Sequence, residues 1–188
     1  PPAIDKTPWA SSLRAMSSAV SPDRDVAGAV ARIRAWGESC DWCGYDPYDA
    51  LNSPFAPVLT FGTGFGRRAL LQVVKRAPVD LRPVLRVPRA RNQKAIGLVA
   101  SGYSWLAAAG DADAAAAAAR WFDWLEQGHV GGVDGCAWSY HFDVQTRFFR
   151  YPAGSPNTIA TCFVALALVD GVEQLGDAAR LRPAVRAA

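Results

Sequence analysis

The chain has 188 residues, with little lysine, little histidine, a single methionine and no long hydrophobic run. Lysine occurs only as Lys6, Lys75 and Lys94, arginine supplies the rest of the basic charge, and the net charge is +3. So modest a balance does not describe a nucleic-acid surface. The stretch Arg82, Arg86, Arg89 and Arg91 reads as solvated or paired. Together with the heavy use of alanine, the arginine preference points to a GC-rich bacterial genome. No apolar run approaches the ~20 residues of a membrane span. The most apolar stretch, 159–169, reads as a buried helix. Pro1-Pro2-Ala3-Ile4-Asp5 has neither the basic start nor the apolar core of a signal peptide, so a cytoplasmic location is expected.

The scarcity of histidine, which is limited to His129 and His141, also bears on the cysteines. Cys40-Asp41-Trp42-Cys43 is a CxxC, the spacing of a redox pair or of half a zinc site. No second CxxC follows and no βαβ pattern surrounds it, so Cys40, Cys43, Cys136 and Cys162 are expected to be ordinary reduced thiols. The run Gly62-Thr63-Gly64-Phe65-Gly66 lacks the following Lys-Ser/Thr and the preceding strand of a phosphate loop, and reads as a flexible lead into a helix. No metal or cofactor is expected.

What the chain does have is hydrophobic residues (51%) at helical spacing. Ser21-Pro22-Asp23 reads as a cap, a first-turn proline and a dipole-favoured acid, ahead of Val26, Val30, Ile33 and Trp36. Further helices are predicted over 67–76, 90–109, 111–127 and 157–172, with a last one starting near Gly176. Residues 77–88, with three prolines, read as an extended connector. Residues 57–61 form either a helical turn or an extended piece. Ser155-Pro156 repeats the cap-plus-proline signal before a helix apolar nearly all round, which is therefore expected inside the protein. No convincing β alternation is present, and an all-α single domain of helical hairpins is the expected fold.

Two long loops, 38–66 and 128–154, are the candidate working surface, because structureless loops of this length are usually functional. They echo each other. Cys40-Asp41-Trp42 precedes Tyr45-Asp46, and Cys136-Ala137-Trp138 precedes Tyr140-His141-Phe142-Asp143. Equivalent rim loops of a helical ring would look like this.

In the first loop Asp46 and Asp49 are candidate acids or bases, with Trp42, Tyr45, Tyr48 and Asn52 to stack on sugar rings and bind hydroxyls. The alternative is that the aspartates cap turns around Pro47 while the rings pack underneath. In the second, over the constellation from Asp134 to Arg147, alternation around Tyr140, Phe142 and Val144 hints at a strand-like stretch. That would put Ser139, His141, Asp143 and Gln145 on its other side. His141 and Asp143 are catalytic candidates, Tyr140 a proton-abstracting one, and Trp138, Gln145, Arg147 and Asn157 binding ones. Asp143 with Arg147 reads equally as an ion pair. The helix start at Ser155-Pro156-Asn157-Thr158 offers free N–H groups to a carboxylate or phosphate, or is plain capping.

The segments Tyr45-Asp46-Pro47-Tyr48-Asp49-Ala50-Leu51-Asn52-Ser53 and Trp138-Ser139-Tyr140-His141-Phe142-Asp143-Val144-Gln145, with Ser155-Pro156-Asn157, resemble a poorly characterised family of bacterial and archaeal proteins. These are often associated with surface-polysaccharide genes and look like (α/α) toroids of the six-hairpin glycosidase type. Where the family pattern has Trp after the loop aspartate, this chain has Val144. The resemblance implies a toroid of roughly double this length, so the chain would supply its N-terminal half, or close its core as a homo-oligomer. It also implies a saccharide ligand, and a hydrolase or lyase acting on a polysaccharide or oligosaccharide. In a hydrolase Asp46 or Asp49 would pair with Asp143, which makes Asp143 the residue to test first. A non-catalytic glycan-binding scaffold and a terpenoid-cyclase-like toroid are the alternatives, although Asp46-Pro47-Tyr48-Asp49 matches no Asp-rich cyclase motif well.

Overall fold

The computed structural model describes residues 22–132 and 135–180. Ser21, Asp134, the N-terminal pentapeptide and any helix beyond Arg180 lie outside the described residues. The chain divides into two compact units, Pro1–Trp42 and Cys43–Ala188. The fold is mostly helical, as expected.

In the first unit, α1 spans Pro22–Ser39. Its stripe of Val26, Val30, Ile33 and Trp36 is exposed. Trp42, at φ 53°, folds its ring back onto Gly37, where even a methyl group would collide with it at 2.5 Å.

The second unit opens with a 3-10 turn, Asp49–Asn52, followed by α2 (Ala56–Leu59), α3 (Gly64–Arg76), α4 (Gln93–Ala108) and α5 (Ala114–Gln127). Two antiparallel two-stranded ribbons follow, β1 (Val130–Gly132) with β2 (Gly135–Ala137), and β3 (Val144–Gln145) with β4 (Arg150–Tyr151). Helix α6 (Thr158–Leu175) and a 3-10 turn (Ala178–Arg180) end it. Of the strand-like stretch expected around Tyr140, Phe142 and Val144, Val144 alone lies in a strand, and the other strands were not expected. Strands of two or three residues are too short to print an alternating pattern. Tyr140 and Phe142 do not belong to a strand: their rings stack at 5.1 Å, 8° from parallel.

Helix α3 starts earlier than its apolar spacing predicts because the glycine run is tight, not flexible. Thr63 caps it by accepting from Gly66 N, and Gly66 lies so close to the Thr60 backbone that a Cβ would sit 2.2 Å from its carbonyl oxygen. Beneath the first loop Ala50, Leu71 and Val74 form a small core, flanked by Leu51, Leu70, Leu81 and Leu85.

The larger core lies among the last three helices. Helix α4 packs against both α5 and α6, which touch each other little. It contributes Ile96, Ala100 and Tyr103, against Trp121, Phe122 and Leu125 of α5 and Val164, Ala167 and Leu168 of α6. Gly171 lets α6 pass the Phe122 ring, which a Cβ would approach to 2.8 Å. Between α4 and α6, Lys94 lies over the Phe163 ring, Gly97 meets Phe163 and Val164, and Ser101 donates to Asp170. These contacts advance from 94 to 101 as they advance from 163 to 170, so α4 and α6 run parallel.

The N-cap of α6 is Asn157, whose Oδ1 accepts from Ala160 N at 3.0 Å. Ser155 and Pro156 lie ahead of it, and Pro156 bridges to Ser139. The helix continues to Leu175 and closes on Gly176 at φ 69°. Among the described residues it is the one helix long and apolar enough to cross a membrane by length and composition. Its packing against α4 is that of a core helix, but only one face is covered. Ile159, Leu166 and Val169 are exposed, against the expectation that it lies wholly inside.

Candidate functional site

Both loops are organised by the N-terminal end of α4. The first loop pairs with the chain just before that helix, Gly44 and Ala90 exchanging backbone hydrogen bonds of 3.1 and 3.0 Å. Asn92, the N-cap, accepts from Lys94 N through Oδ1 while its Nδ2 donates to Asp46 Oδ2 at 3.1 Å. Gln93 serves the second loop, donating to the Gly128 carbonyl (2.6 Å) and accepting from Ser139 N (2.7 Å). Lys94 then projects between the loops. Sequence reasoning missed all three residues, because a polar triplet at a helix start reads as a solvated cap.

The loops also meet directly, Asn52 Nδ2 donating to the His141 carbonyl at 3.1 Å, and from α3 Arg67 Nε donates to Gln145 Oε1 at 2.8 Å. A cleft of about 490 Å³ lies where they converge, lined by Asp46, Pro47 and Tyr48 from the first loop and by Tyr140, Phe142 and Val144–Thr146 from the second, with Leu71 and Lys94.

The three candidate aspartates have different surroundings. Asp46 lines the cleft, with Oδ1 accepting from Tyr48 N and Oδ2 from Asn92. Asp49 is fully buried, receiving Arg82 Nε (2.9 Å) on one oxygen and Asp46 N (2.9 Å) on the other. Burial alone would push Arg82 down, but its hydrogen bonds to Asp49 and Asp80 outweigh this and hold its pKa above the ordinary value. Asp49 is therefore a structural anchor, and the turn-capping alternative describes it. Asp143 pairs with Arg150 rather than with Arg147, and accepts from Ala153 N at 2.8 Å. It faces a separate cavity of about 350 Å³, shared with Arg67 and Arg150. The acid–base pair drawn from sequence, Asp46 or Asp49 with Asp143, thus does not share one cavity.

The aromatic candidates also divide. Tyr48 and Tyr140 line the cleft. Lys75 Nζ donates to the Tyr48 hydroxyl at 2.5 Å and lies 4.3 Å from its ring centroid. Burial, and secondarily the charge of Asp46, pushes the Tyr140 phenol above its ordinary value, which opposes its use as a base. Tyr45 stacks under the guanidiniums of Arg82 and Arg89. Trp138 is no sugar platform: it is fully buried and its Nε1 donates to the Leu125 carbonyl at 2.8 Å. Trp42 belongs to the first unit.

His141 is not among the residues that line the cleft, and its ring makes a perpendicular contact with Phe142 at 5.0 Å. Neither ring nitrogen has a hydrogen-bond partner among the described residues. Burial lowers its pKa, opposed by the charges of Asp46 and Asp49, so the ring is held neutral near pH 7. Gln145 lines the cleft and also donates to the Thr146 and Phe149 carbonyls. Arg147 is exposed, and its carbonyl accepts from Arg68. Asn157 is spent on capping.

The four cysteines are free thiols. Among the described residues no group of three His, Cys, Asp or Glu side chains is disposed to hold a metal ion. No family model, curated protein or solved structure matches the chain.

Proposed function

We propose that the chain is a carbohydrate-recognition unit whose cleft between the two loops holds part of a polysaccharide or an oligosaccharide. The observation that carries this reading is the cleft lining. One carboxylate, two phenols, an ammonium and an amide converge there beside the Phe142 ring. That mixture of an aromatic surface with hydrogen-bonding groups of both polarities suits a hydroxyl-rich ring. In this reading Asp46 and Gln145 accept from sugar hydroxyls, Lys94 donates, and Tyr48 and Tyr140 bound the ring.

The parallel α4 and α6, with loops gathered at their N-terminal ends, are what a segment of an (α/α) toroid would present. That arrangement supports the toroid reading of the two motifs.

Binding without bond cleavage is the form of this function that the geometry favours. Glycoside hydrolysis ordinarily needs two carboxyl groups flanking one bond, ~5–9.5 Å apart across the scissile oxygen. Among the described residues Asp46 is the single carboxylate in the cleft, since Asp49 is sealed against Arg82 and Asp143 lines another cavity. The test is to incubate the protein with bacterial polysaccharides and oligosaccharides and measure both binding and new reducing or unsaturated ends. Binding that Asp46→Asn and Tyr140→Ala abolish, with no new ends, is expected. New ends that disappear in Asp46→Asn would favour catalysis, and no binding at all would refute the reading.

A further inference from the structure

The second cavity, of about 350 Å³, lies between α2, the start of α3 and the second loop. The saccharide reading of the cleft leaves it unused. Its ionised lining is two guanidiniums, Arg67 and Arg150, and one carboxylate, Asp143, which leaves one positive charge in excess. Leu51, Ala56 and Pro57 supply an apolar side.

Both guanidiniums are held in place, by different means. Arg67 is half-buried, and its Nε donates to Gln145 Oε1 while Nη1 donates to the Gly62 carbonyl, each at 2.8 Å. Both acceptors are neutral. Among the described residues no carboxylate pairs with this guanidinium, and its Nη2 has no hydrogen-bond partner. A cation fixed by neutral acceptors keeps its charge for a ligand, and little further order is lost when one binds. Arg150 is propped by Asp143, whose Oδ2 accepts from both Nε (2.9 Å) and Nη2. The other oxygen of Asp143 accepts from Ala153 N at 2.8 Å, so this carboxylate is occupied at both ends.

The cavity adjoins the cleft at Gln145. That side chain lines the cleft and accepts the Arg67 hydrogen bond. Along the chain Asp143 lines the cavity, and Val144–Thr146, which follow it directly, line the cleft. A ligand that extends past Gln145 therefore reaches Arg67.

We propose that this cavity is an anion subsite, in which Arg67 and Arg150 receive the carboxylate of an acidic sugar while a neighbouring unit of the same saccharide lies in the cleft. The proposal rests on the saccharide reading of the cleft and narrows it to acidic polysaccharides. A guanidinium presents paired N–H donors in one plane, the arrangement a carboxylate accepts. One excess positive charge matches a monoanion. A phosphate monoester is close to doubly charged at neutral pH and would also face Asp143, so it fits less well. The apolar side beside the charges suits the carbon skeleton of a sugar ring.

Titration calorimetry with oligomers of galacturonate, glucuronate and mannuronate tests this. Each is paired with the same oligomer after reduction of its carboxylates to alcohols, and neutral oligosaccharides complete the set. Wild type is expected to bind at least one acidic oligomer about tenfold or more tightly than its reduced form. That preference is expected to shrink as salt is raised. Arg67→Gln and Arg150→Gln are each expected to lower the ratio severalfold, and the double variant to abolish it. Equal affinity for acidic and reduced forms in the wild type, or a preference that survives the double variant, would overturn the subsite and leave the cleft reading standing. No binding of any oligomer, acidic, reduced or neutral, would overturn the cleft reading with it.

Discussion

The two loops share a sequence echo, an aromatic run closed by an aspartate, yet their aspartates are held by opposite physics. In the first loop Asp49 is sealed with Arg82 over a small leucine-rich core, so the backbone around Asp46 is fixed from below. In the second, Asp143 clamps Arg150 and the Ala153 amide at the surface of a two-residue ribbon. Phe148, Phe149 and Tyr151 of that ribbon are exposed. The comparison teaches that a carboxylate's place in a motif finds the region, while its desolvation and partners decide its role. One loop is anchored by a buried ion pair and the other by a surface one, and the cleft lies between them.

Substitutions that attack the difference should rank accordingly. Asp49→Ala leaves the Arg82 guanidinium without its buried partner and should cost about 3–5 kcal/mol, read as a large fall in the urea midpoint with the first loop disordered. Asn52→Ala removes the hydrogen bond to the His141 carbonyl that ties the loops together. It should cost about 0.5–1.5 kcal/mol and loosen the cleft without unfolding either core, measurable as faster amide exchange in 140–146. Asp143→Asn, breaking a partly exposed pair, should cost no more than about 1 kcal/mol and leave cleft binding intact. A larger loss of stability or of binding would mean the two aspartates are not as different as their surroundings indicate.

The smallest effect concerns pH. The folded-state pKa of His141 lies below its unfolded value of about 6.5. The unfolded chain therefore takes up the proton first. Stability associated with His141 is complete above about pH 6.5 and declines as the pH falls toward the depressed folded value. His141→Gln should flatten the urea midpoint over that interval, and an unchanged pH slope would show that the ring is not protected as described.

Much of the helical frame is legible in the sequence, because the 3.6-residue spacing in 93–127 and 158–175 acts locally, although Gly176, read there as the start of a further helix, closes α6 instead. Where boundaries shifted, a neighbouring contact is responsible. Asn157 caps α6 because Pro156 is engaged with Ser139, and α3 begins at Gly64 because Gly66 must pass Thr60. The ribbons of 130–151 were legible only as a hint around Val144, since strands this short carry almost no period. Nor were the roles of the aspartates, because their partners lie far along the chain: Arg82 in a proline-rich connector, Asn92 at a helix cap. The same holds for Trp138, whose hydrogen bond to Leu125 turns a candidate sugar platform into a core residue.

The convergence of the two loops is proposed as a saccharide site. Its most direct test is the binding of wild type, Asp46→Asn, Tyr140→Ala and Asp143→Asn to an array of bacterial surface-polysaccharide oligosaccharides. Binding lost in the first two variants and kept in Asp143→Asn is the predicted pattern. Binding indifferent to Asp46 and Tyr140, or none on any glycan, would contradict it.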